Sequence, residues 1–364
     1  MRKIRVLVVD DSAFMRKVIS DILNGDPAIE VIDRAKNGLE CIEKAKELNP
    51  DVITLDIEMP FMNGLEALEQ LMRENPLPVV MLSSLTKEGA DATIRALELG
   101  AFDFVTKPSG PISLDIHKVA DGIREKVKEA AQTKGKQRKL QMPPLKKEGT
   151  LPQKPIPAAR PPSTSGGAQA VGGKEQKLVA VGTSTGGPKA LQTVLTALPA
   201  GFDAPIVIVQ HMPPGFTKSL AQRLDALCAI RVVEAEDGQP IEAGTAYIAP
   251  GGYHLEVRQA GDRLKVHLHQ EEPRGGHRPS VDVLFESVCR LTNLRKWAII
   301  MTGMGNDGTK GLKKMKDCDQ VTSIVEDESS CVVFGMPRAA IQAGLADHVV
   351  PLEKIAETLV KLVN

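Results

Sequence analysis

The 364 residues carry 46 Lys+Arg and 46 Asp+Glu, so the formal net charge is zero and nothing in the balance points to nucleic acid or a membrane surface. Aromatic residues make up 3%, too few for a base-stacking platform, and no apolar run reaches the ~18 residues of a membrane span. Cys41, Cys228, Cys289, Cys318 and Cys331 are scattered and odd in number, with no C-x-x-C, so neither a zinc cluster nor a disulfide framework is expected and a reduced cytoplasm is the simplest setting.

The chain opens on Ile4-Arg5-Val6-Leu7-Val8-Val9, a strand-like run with no signal-peptide pattern before it, and closes that run with Asp10-Asp11. Similar runs recur at 52–55, 78–82 and 102–105, with a weaker one at 29–33. Leu65, Leu68, Leu71 and Met72 show helical spacing between them. Apolar strands alternating with amphipathic helices predict a parallel sheet covered on both faces. A first α/β domain is expected over 1–125. From 126 to 176 the composition turns to lysines, prolines and Gly-Gly pairs, which predicts a linker whose basic cluster is a solvated tail. A second α/β pattern fills 177–364. Its strand-like runs are 178–181, 205–210, 246–249, 297–301 and 321–325, and its helix-like segments lie near 187–198, 216–228, 280–293, 336–343 and 353–363. Tyr253–Val257 and Leu264–Leu268 flank Gly261-Asp262, which predicts a β-hairpin inserted into this second sheet. The fold class is therefore α/β, with two doubly wound parallel-sheet domains.

Parallel sheets gather functional groups at the carboxyl ends of their strands. In the first domain those ends carry Asp10-Asp11, Asp56, Ser83-Ser84 and Thr106-Lys107. Three carboxylates at one edge repel unless a cation sits among them, and a hard oxygen site suits Mg²⁺. Asp56 is a plausible nucleophile toward a phosphoryl group, and Lys107 would pair with the added charge. The bland alternative is that these groups cap helices, with Asp11 or Ser12 as an N-cap. Together with Met59-Pro60 and Asn63-Gly64, the pattern resembles response-regulator receiver domains. The resemblance implies a flavodoxin-like fold with Asp56 as phosphoacceptor. It implies Mg²⁺ held by Asp10, Asp11, Asp56 and the backbone carbonyl of Glu58. It also implies Ser83 as switch hydroxyl, where many receivers have threonine, with Phe104 as switch aromatic and Lys107 as phosphate partner.

In the second domain Gly182-Thr183-Ser184-Thr185-Gly186 reads G-x-S-x-G at a strand-to-helix turn, which exposes a serine hydroxyl. Among seven histidines His211 is best placed as its base, because it ends the run 206–210; His277 is second, His254 lies in the hairpin, and His267 and His269 share one strand face. Asp307, after the run 297–301, would orient the imidazole. Glycines beside Met304 and at Gly186-Gly187 leave backbone N–H groups for an oxyanion, those of Met304 and Thr185 being the candidates. Two competing readings exist. Gly303-x-Gly305-x-x-Gly308 with Glu326 further on fits a dinucleotide fingerprint, but it leaves Ser184 and His211 without roles. Alternatively Ser184 merely caps the helix that follows, in a non-enzymatic adaptor.

Gly182–Pro188, Gln210-His211-Met212, Ala249-Pro250-Gly251, His277–Asp282 and Gly303–Gly308 resemble the chemotaxis methylesterase family CheB, in which a receiver precedes a larger Rossmann-like catalytic domain. The resemblance implies Ser184 as nucleophile, His211 as base, Asp307 as orienter and the Met304 backbone as oxyanion donor. It implies a cytoplasmic enzyme that hydrolyses glutamate methyl esters and deamidates glutamines on chemoreceptor helices, with a chemotaxis histidine kinase as phosphodonor. Mg²⁺ serves the receiver, and no metal serves the ester step. Domain order further suggests that the receiver docks over the Ser184 cleft and that phosphorylation loosens it.

Overall fold

The computed structural model describes residues 2–107, 115–134, 176–261, 263–318 and 320–364. Residues 135–175, most of the expected linker, lie outside the described residues.

Five strands, β1 (Ile4–Val9), β2 (Ile29–Ala35), β3 (Val52–Asp56), β4 (Val79–Ser83) and β5 (Asp103–Thr106), form one parallel sheet in the order β2-β1-β3-β4-β5. Alternate side chains of β1 enter different cores: Leu7 and Val9 pack on one face, Val6 and Val8 on the other. Both faces are thus buried, which is why these strands are apolar without alternation. The helices α1 (Ala13–Asn24), α2 (Gly38–Leu48), α3 (Gly64–Glu74), α4 (Lys87–Leu99) and α5 (Asp115–Gln132) supply the covers. Asn63 and Glu66 close a reciprocal capping box on α3. Helix α5 runs past residue 125, to Gln132.

The second sheet has seven parallel strands in the order β14-β13-β12-β6-β7-β9-β8. They are β6 (Gln176–Thr183), β7 (Ile206–Gln210), β8 (Arg231–Glu234), β9 (Thr245–Ile248), β12 (Leu294–Ile300), β13 (Val321–Glu326) and β14 (His348–Val350). The short edge strands β8 and β14 carry too few apolar residues to register as runs. Helices α6 (Gly187–Thr196), α7 (Phe216–Leu227), α8 (Val281–Cys289), α9 (Thr309–Cys318), α10 (Met336–Gln342) and α11 (Leu352–Val363) pack around it. Two expectations are corrected. The hairpin β10 (His254–Ala260) and β11 (Arg263–His269) is a separate two-stranded sheet, not an insertion into the large one. Its inward side chains Leu255, Val257, Leu264 and Val266 join a cluster with Leu284, Phe285 and Val288 of α8, so it lies on a helix face instead of extending the ladder. And Cys289 is joined to Cys318 by a disulfide across the C-terminal ends of α8 and α9, with Cα atoms 6.1 Å apart. That pairing was not legible because the two residues are 29 positions apart and meet only through helix packing.

The two sheets share a core. Ala90, Ile94 and Leu97 of α4 and Phe104 of β5 fall in one buried cluster with Leu191 of α6 and Phe216, Leu220 and Leu224 of α7. The rings of Phe104 and Phe216 stack with centroids 4.7 Å apart. Arg223 of α7 makes a two-pronged ion pair with Glu98 of α4, at 2.8 and 3.0 Å.

Candidate active site

In the first sheet the chain leaves β1 and β3 in opposite directions, and such a switch point opens a crevice at the strand ends. Asp10, Asp11 and Asp56 converge there, with one ligand oxygen from each within 4.8 Å of the others. The Lys107 ammonium bridges Asp10 at 3.0 Å and Asp56 at 2.7 Å. Asp10 and Asp56 are buried. Burial pushes the Asp56 carboxyl up to about 6, against the downward pull of Lys107 and with a further push from Asp10. Burial pulls the Lys107 ammonium down, but Asp56 and Asp10 outweigh it and the net shift is upward. One ammonium against three carboxylates leaves a net negative oxygen site, which fits a hard divalent cation such as Mg²⁺. Ser12 does cap α1, accepting from Met15 N at 3.3 Å, while Asp10 accepts from Ser12 N at 2.9 Å. The capping alternative therefore holds for Ser12 and leaves the carboxylate cluster intact. Ser83 is fully buried and donates to the Gly89 carbonyl, 3.1 Å away. Phe104 is turned into the shared core.

In the second sheet β6 is the centre, with β7 on one side and β12 on the other, again a switch point. Ser184 follows β6, His211 follows β7 and Asp307 follows β12, so three adjacent strand ends carry the three expected residues. His211 Nε2 lies 2.8 Å from Asp307 Oδ2. His211 Nδ1 is buried with no hydrogen-bond partner, so it is the ring atom left for a hydroxyl. The first link, from Ser184 to His211 Nδ1, is not closed in this structure; separately, the His211 main-chain N–H donates to the Thr183 carbonyl, 3.2 Å away, which ties the two strand ends together. Catalytic hydrogen bonds are commonly long before substrate binds. His277, the second-choice base, stacks on His211 with ring centroids 4.0 Å apart.

Asp307 is held by a dense donor set. Its carboxylate accepts from Ser280 Oγ (2.9 Å), Val281 N (2.7 Å), Asp282 N (2.9 Å) and Gly308 N (3.0 Å). Burial alone would raise its pKa, but His211 and these N–H groups hold it down to about 2. Asp282 in turn accepts from Gly308 N and Gly311 N, at 3.0 and 2.7 Å.

Ser184 is fixed through its backbone. Its N–H donates to the Thr302 carbonyl at 3.0 Å, and its carbonyl accepts from Gln210 Nε2 at 3.0 Å. The same Gln210 amide reaches the His211 carbonyl at 3.2 Å. Helix α6 is capped by Gly186 at φ +80°, with no side-chain cap, so Ser184 is not a capping serine. A Cβ on Gly303 would run into Met336 Sδ and come within 2.9 Å of Ser184 Cβ, so that loop position is tight enough to favour glycine. Among the described residues, no hydrogen bond is donated by the N–H of Thr185 or Met304. Both remain open to an oxyanion.

The dinucleotide reading fails on Glu326. It is fully buried, and its two oxygens accept from Thr302 N (2.8 Å) and Ser330 Oγ (3.0 Å), so no carboxylate faces a ribose. Sequence reasoning also missed Asp103. Its carboxylate accepts from Thr185 Oγ1 at 2.7 Å, next to Ser184, and pairs with Lys126 of α5. A strand-end polar pair across two domains leaves no local pattern to read.

Residues 179–359 match the family model described as CheB methylesterase, and residues 6–117 match that of the response regulator receiver domain. A protein of Geobacillus kaustophilus (strain HTA426) named protein-glutamate methylesterase/protein-glutamine glutaminase is 55% identical over 364 residues, covering all of both chains. The chain belongs to the CheB methylesterase family. A Bacillus subtilis (strain 168) protein of the same name is 48% identical over 361 residues, covering 99% of each chain. The crystal structure of the Thermotoga maritima CheB methylesterase catalytic domain superposes with a TM-score of 0.50 at 46% identity, covering 51% of this chain and 98% of that one. Family membership accords with the two-domain α/β architecture, receiver first. Among the described residues no helix is long and apolar enough to cross a membrane.

Proposed function

We propose that the chain is a phosphorylation-regulated serine hydrolase that removes methyl groups from glutamate esters, and deamidates glutamines, on the cytoplasmic helices of chemoreceptors during adaptation. The observation that carries this reading is the His211–Asp307 contact at 2.8 Å, with the partnerless Nδ1 on the adjoining strand end from Ser184. In this reading Ser184 Oγ attacks the ester carbonyl carbon and its proton passes to His211 Nδ1. The oxyanion that forms is met by the Thr185 and Met304 N–H groups. The imidazolium, stabilised by Asp307, protonates the methoxy oxygen and methanol leaves. Water, deprotonated by His211, attacks the acyl carbon and frees the glutamate and Ser184. An amide passes through a similar tetrahedral state and loses ammonia.

On the receiver, Asp56 accepts the phosphoryl group from a chemotaxis histidine kinase. Asp10, Asp11, Asp56 and the Glu58 carbonyl would hold Mg²⁺, whose charge neutralises phosphoryl oxygens. Lys107 pairs with the acquired charge, and Ser83 and Phe104 follow it. The docked arrangement supports regulation by covering: Asp103 sits on Thr185, Phe104 on Phe216 and Glu98 on Arg223. Phosphorylation would then favour the undocked state. Ser184→Ala is expected to abolish methanol release from methylated receptor membranes while Asp56 still takes up phosphate. Retained hydrolysis would overturn the role of Ser184.

A further inference from the structure

The outer face of the hairpin carries three histidines that the ester chemistry does not use. His254 and His269 are directly paired across β10 and β11, and His267 is two residues from His269 on the same face. The ring centroids of His254 and His269 are 5.3 Å apart, those of His267 and His269 5.7 Å. His254 is 1% exposed. Its Nε2 meets the Glu272 carbonyl at 3.2 Å, but its Nδ1 is buried without a partner. Both ring nitrogens of His269 are likewise buried and unpartnered. Three orphaned imidazole nitrogens in one patch are costly to bury unless something occupies them.

From this geometry we infer a binding site for a borderline divalent transition cation, Zn²⁺ or its like, anchored by His254 and His269 and completed by His267. Two imidazoles on one tetrahedral Zn²⁺, with Zn–N of about 2.0–2.1 Å, place their ring centres about 5 Å apart, which is the spacing of the His254–His269 pair. His254 lies across the ladder from His269 and His267 two residues along β11 on the same face, so His267 joins by a side-chain rotation away from Asp237, now 3.3 Å from its Nδ1. The Glu271 carboxylate, 3.9 Å from His269 Nδ1, is within reach as a fourth donor. Nitrogen donors select this class of ion over Mg²⁺, so the site is chemically distinct from the Asp10–Asp11–Asp56 cluster. Burial and the neighbouring His269 hold the His254 ring below the ordinary imidazole range, which keeps it in the neutral form a metal needs. The consequence is mechanical. His254 holds the Glu272 carbonyl, and the loop that continues from Glu272 brings His277 onto His211. An ion on the hairpin therefore braces the loop beside the base.

The test is Zn²⁺ titration of the full, unphosphorylated chain with Mg²⁺ in large excess, followed by calorimetry and by thermal melting. One tight equivalent is expected, with a Zn²⁺-dependent rise in Tm. His269→Gln and His267→Gln, both at partly exposed positions that tolerate an amide, should each weaken Zn²⁺ at least tenfold and remove the Tm rise. His277→Gln should bind Zn²⁺ within twofold of the parent, which separates this site from the one around His211. Co²⁺ in place of Zn²⁺ should give visible d–d bands without thiolate charge transfer. Absence of stoichiometric Zn²⁺ binding, or equal affinity in His269→Gln and His267→Gln, overturns the inference. Loss of binding in His277→Gln does so as well, as does a Co²⁺–thiolate band.

Discussion

Asp307→Asn separates charge from shape. The carboxylate Oδ1 accepts from Ser280 Oγ, Asp282 N and Gly308 N, and Oδ2 accepts from Val281 N while facing His211 Nε2. An asparagine has one carbonyl oxygen and one NH₂. With the oxygen in the three-donor position, the NH₂ opposes the Val281 N–H and turns a donor toward His211 Nε2. The imidazole must then carry its proton on Nδ1, where it can no longer accept one from Ser184. Holding Asp307 at about 2 instead of 3.8 corresponds to roughly 2–3 kcal/mol in favour of the charged form. A folded pKa below the unfolded one means that this stability is present above pH ~4 and is lost as pH falls through ~2. Asp307→Asn should therefore lose roughly that amount of stability at pH 7, and kcat for methanol release should fall about 10³–10⁴-fold through the wrong tautomer. Receptor membranes carrying radiolabelled methyl groups give the rate, and a urea melt gives the stability. A variant that is folded and keeps more than a tenth of the parent kcat would refute the tautomer argument.

Asp56, raised to about 6, behaves oppositely: its folded pKa exceeds the unfolded one, so ionisation costs stability as pH rises from ~4 through ~6. Asp56→Asn should gain roughly 2–3 kcal/mol at pH 7 in chelator, and Mg²⁺ should stabilise the parent but not the variant; an unchanged urea midpoint would contradict this. Glu98→Arg sets two cations together at the α4–α7 contact, where an exposed pair is worth up to ~1 kcal/mol. Unphosphorylated esterase activity should rise about fivefold, and adding Arg223→Glu should reverse it; an inert Glu98→Arg, or a double charge swap as fast as the single variant, would count against docking as the brake. Gly303→Ala pushes a methyl between Met336 Sδ and Ser184 Cβ, the latter at 2.9 Å, so esterase activity should drop at least tenfold with Asp56 phosphorylation unchanged, and a normal rate would show that Met336 yields and the loop is loose.

The parts of this molecule that were legible share a cause. Strands buried on both faces write themselves as apolar runs, and the residues that end them, Asp10, Asp56, Ser184 and His211, stand at fixed offsets from those runs. The hairpin was legible as two strands but not in its placement, because lying on α8 depends on which face of Leu255 and Val257 meets a helix. β8 and β14 were missed because an edge strand needs no continuous apolar run. Asp103, Gln210 and Thr302 were silent for another reason. Each acts through backbone carbonyls or across a domain seam, and neither relation has a local signature. The Cys289–Cys318 bridge belongs with them.

Gln210 has a kinetic consequence. One side-chain amide grips the carbonyl of Ser184 and that of His211, so the alcohol and imidazole segments travel as a single body. On the proposed reading, lifting the receiver away would uncover two segments already tied together, with only the Ser184–His211 link left to close. Activation should then show as faster capture of a bulky receptor helix, while a tiny soluble ester that slips past the seam would be turned over at nearly the same speed in either state.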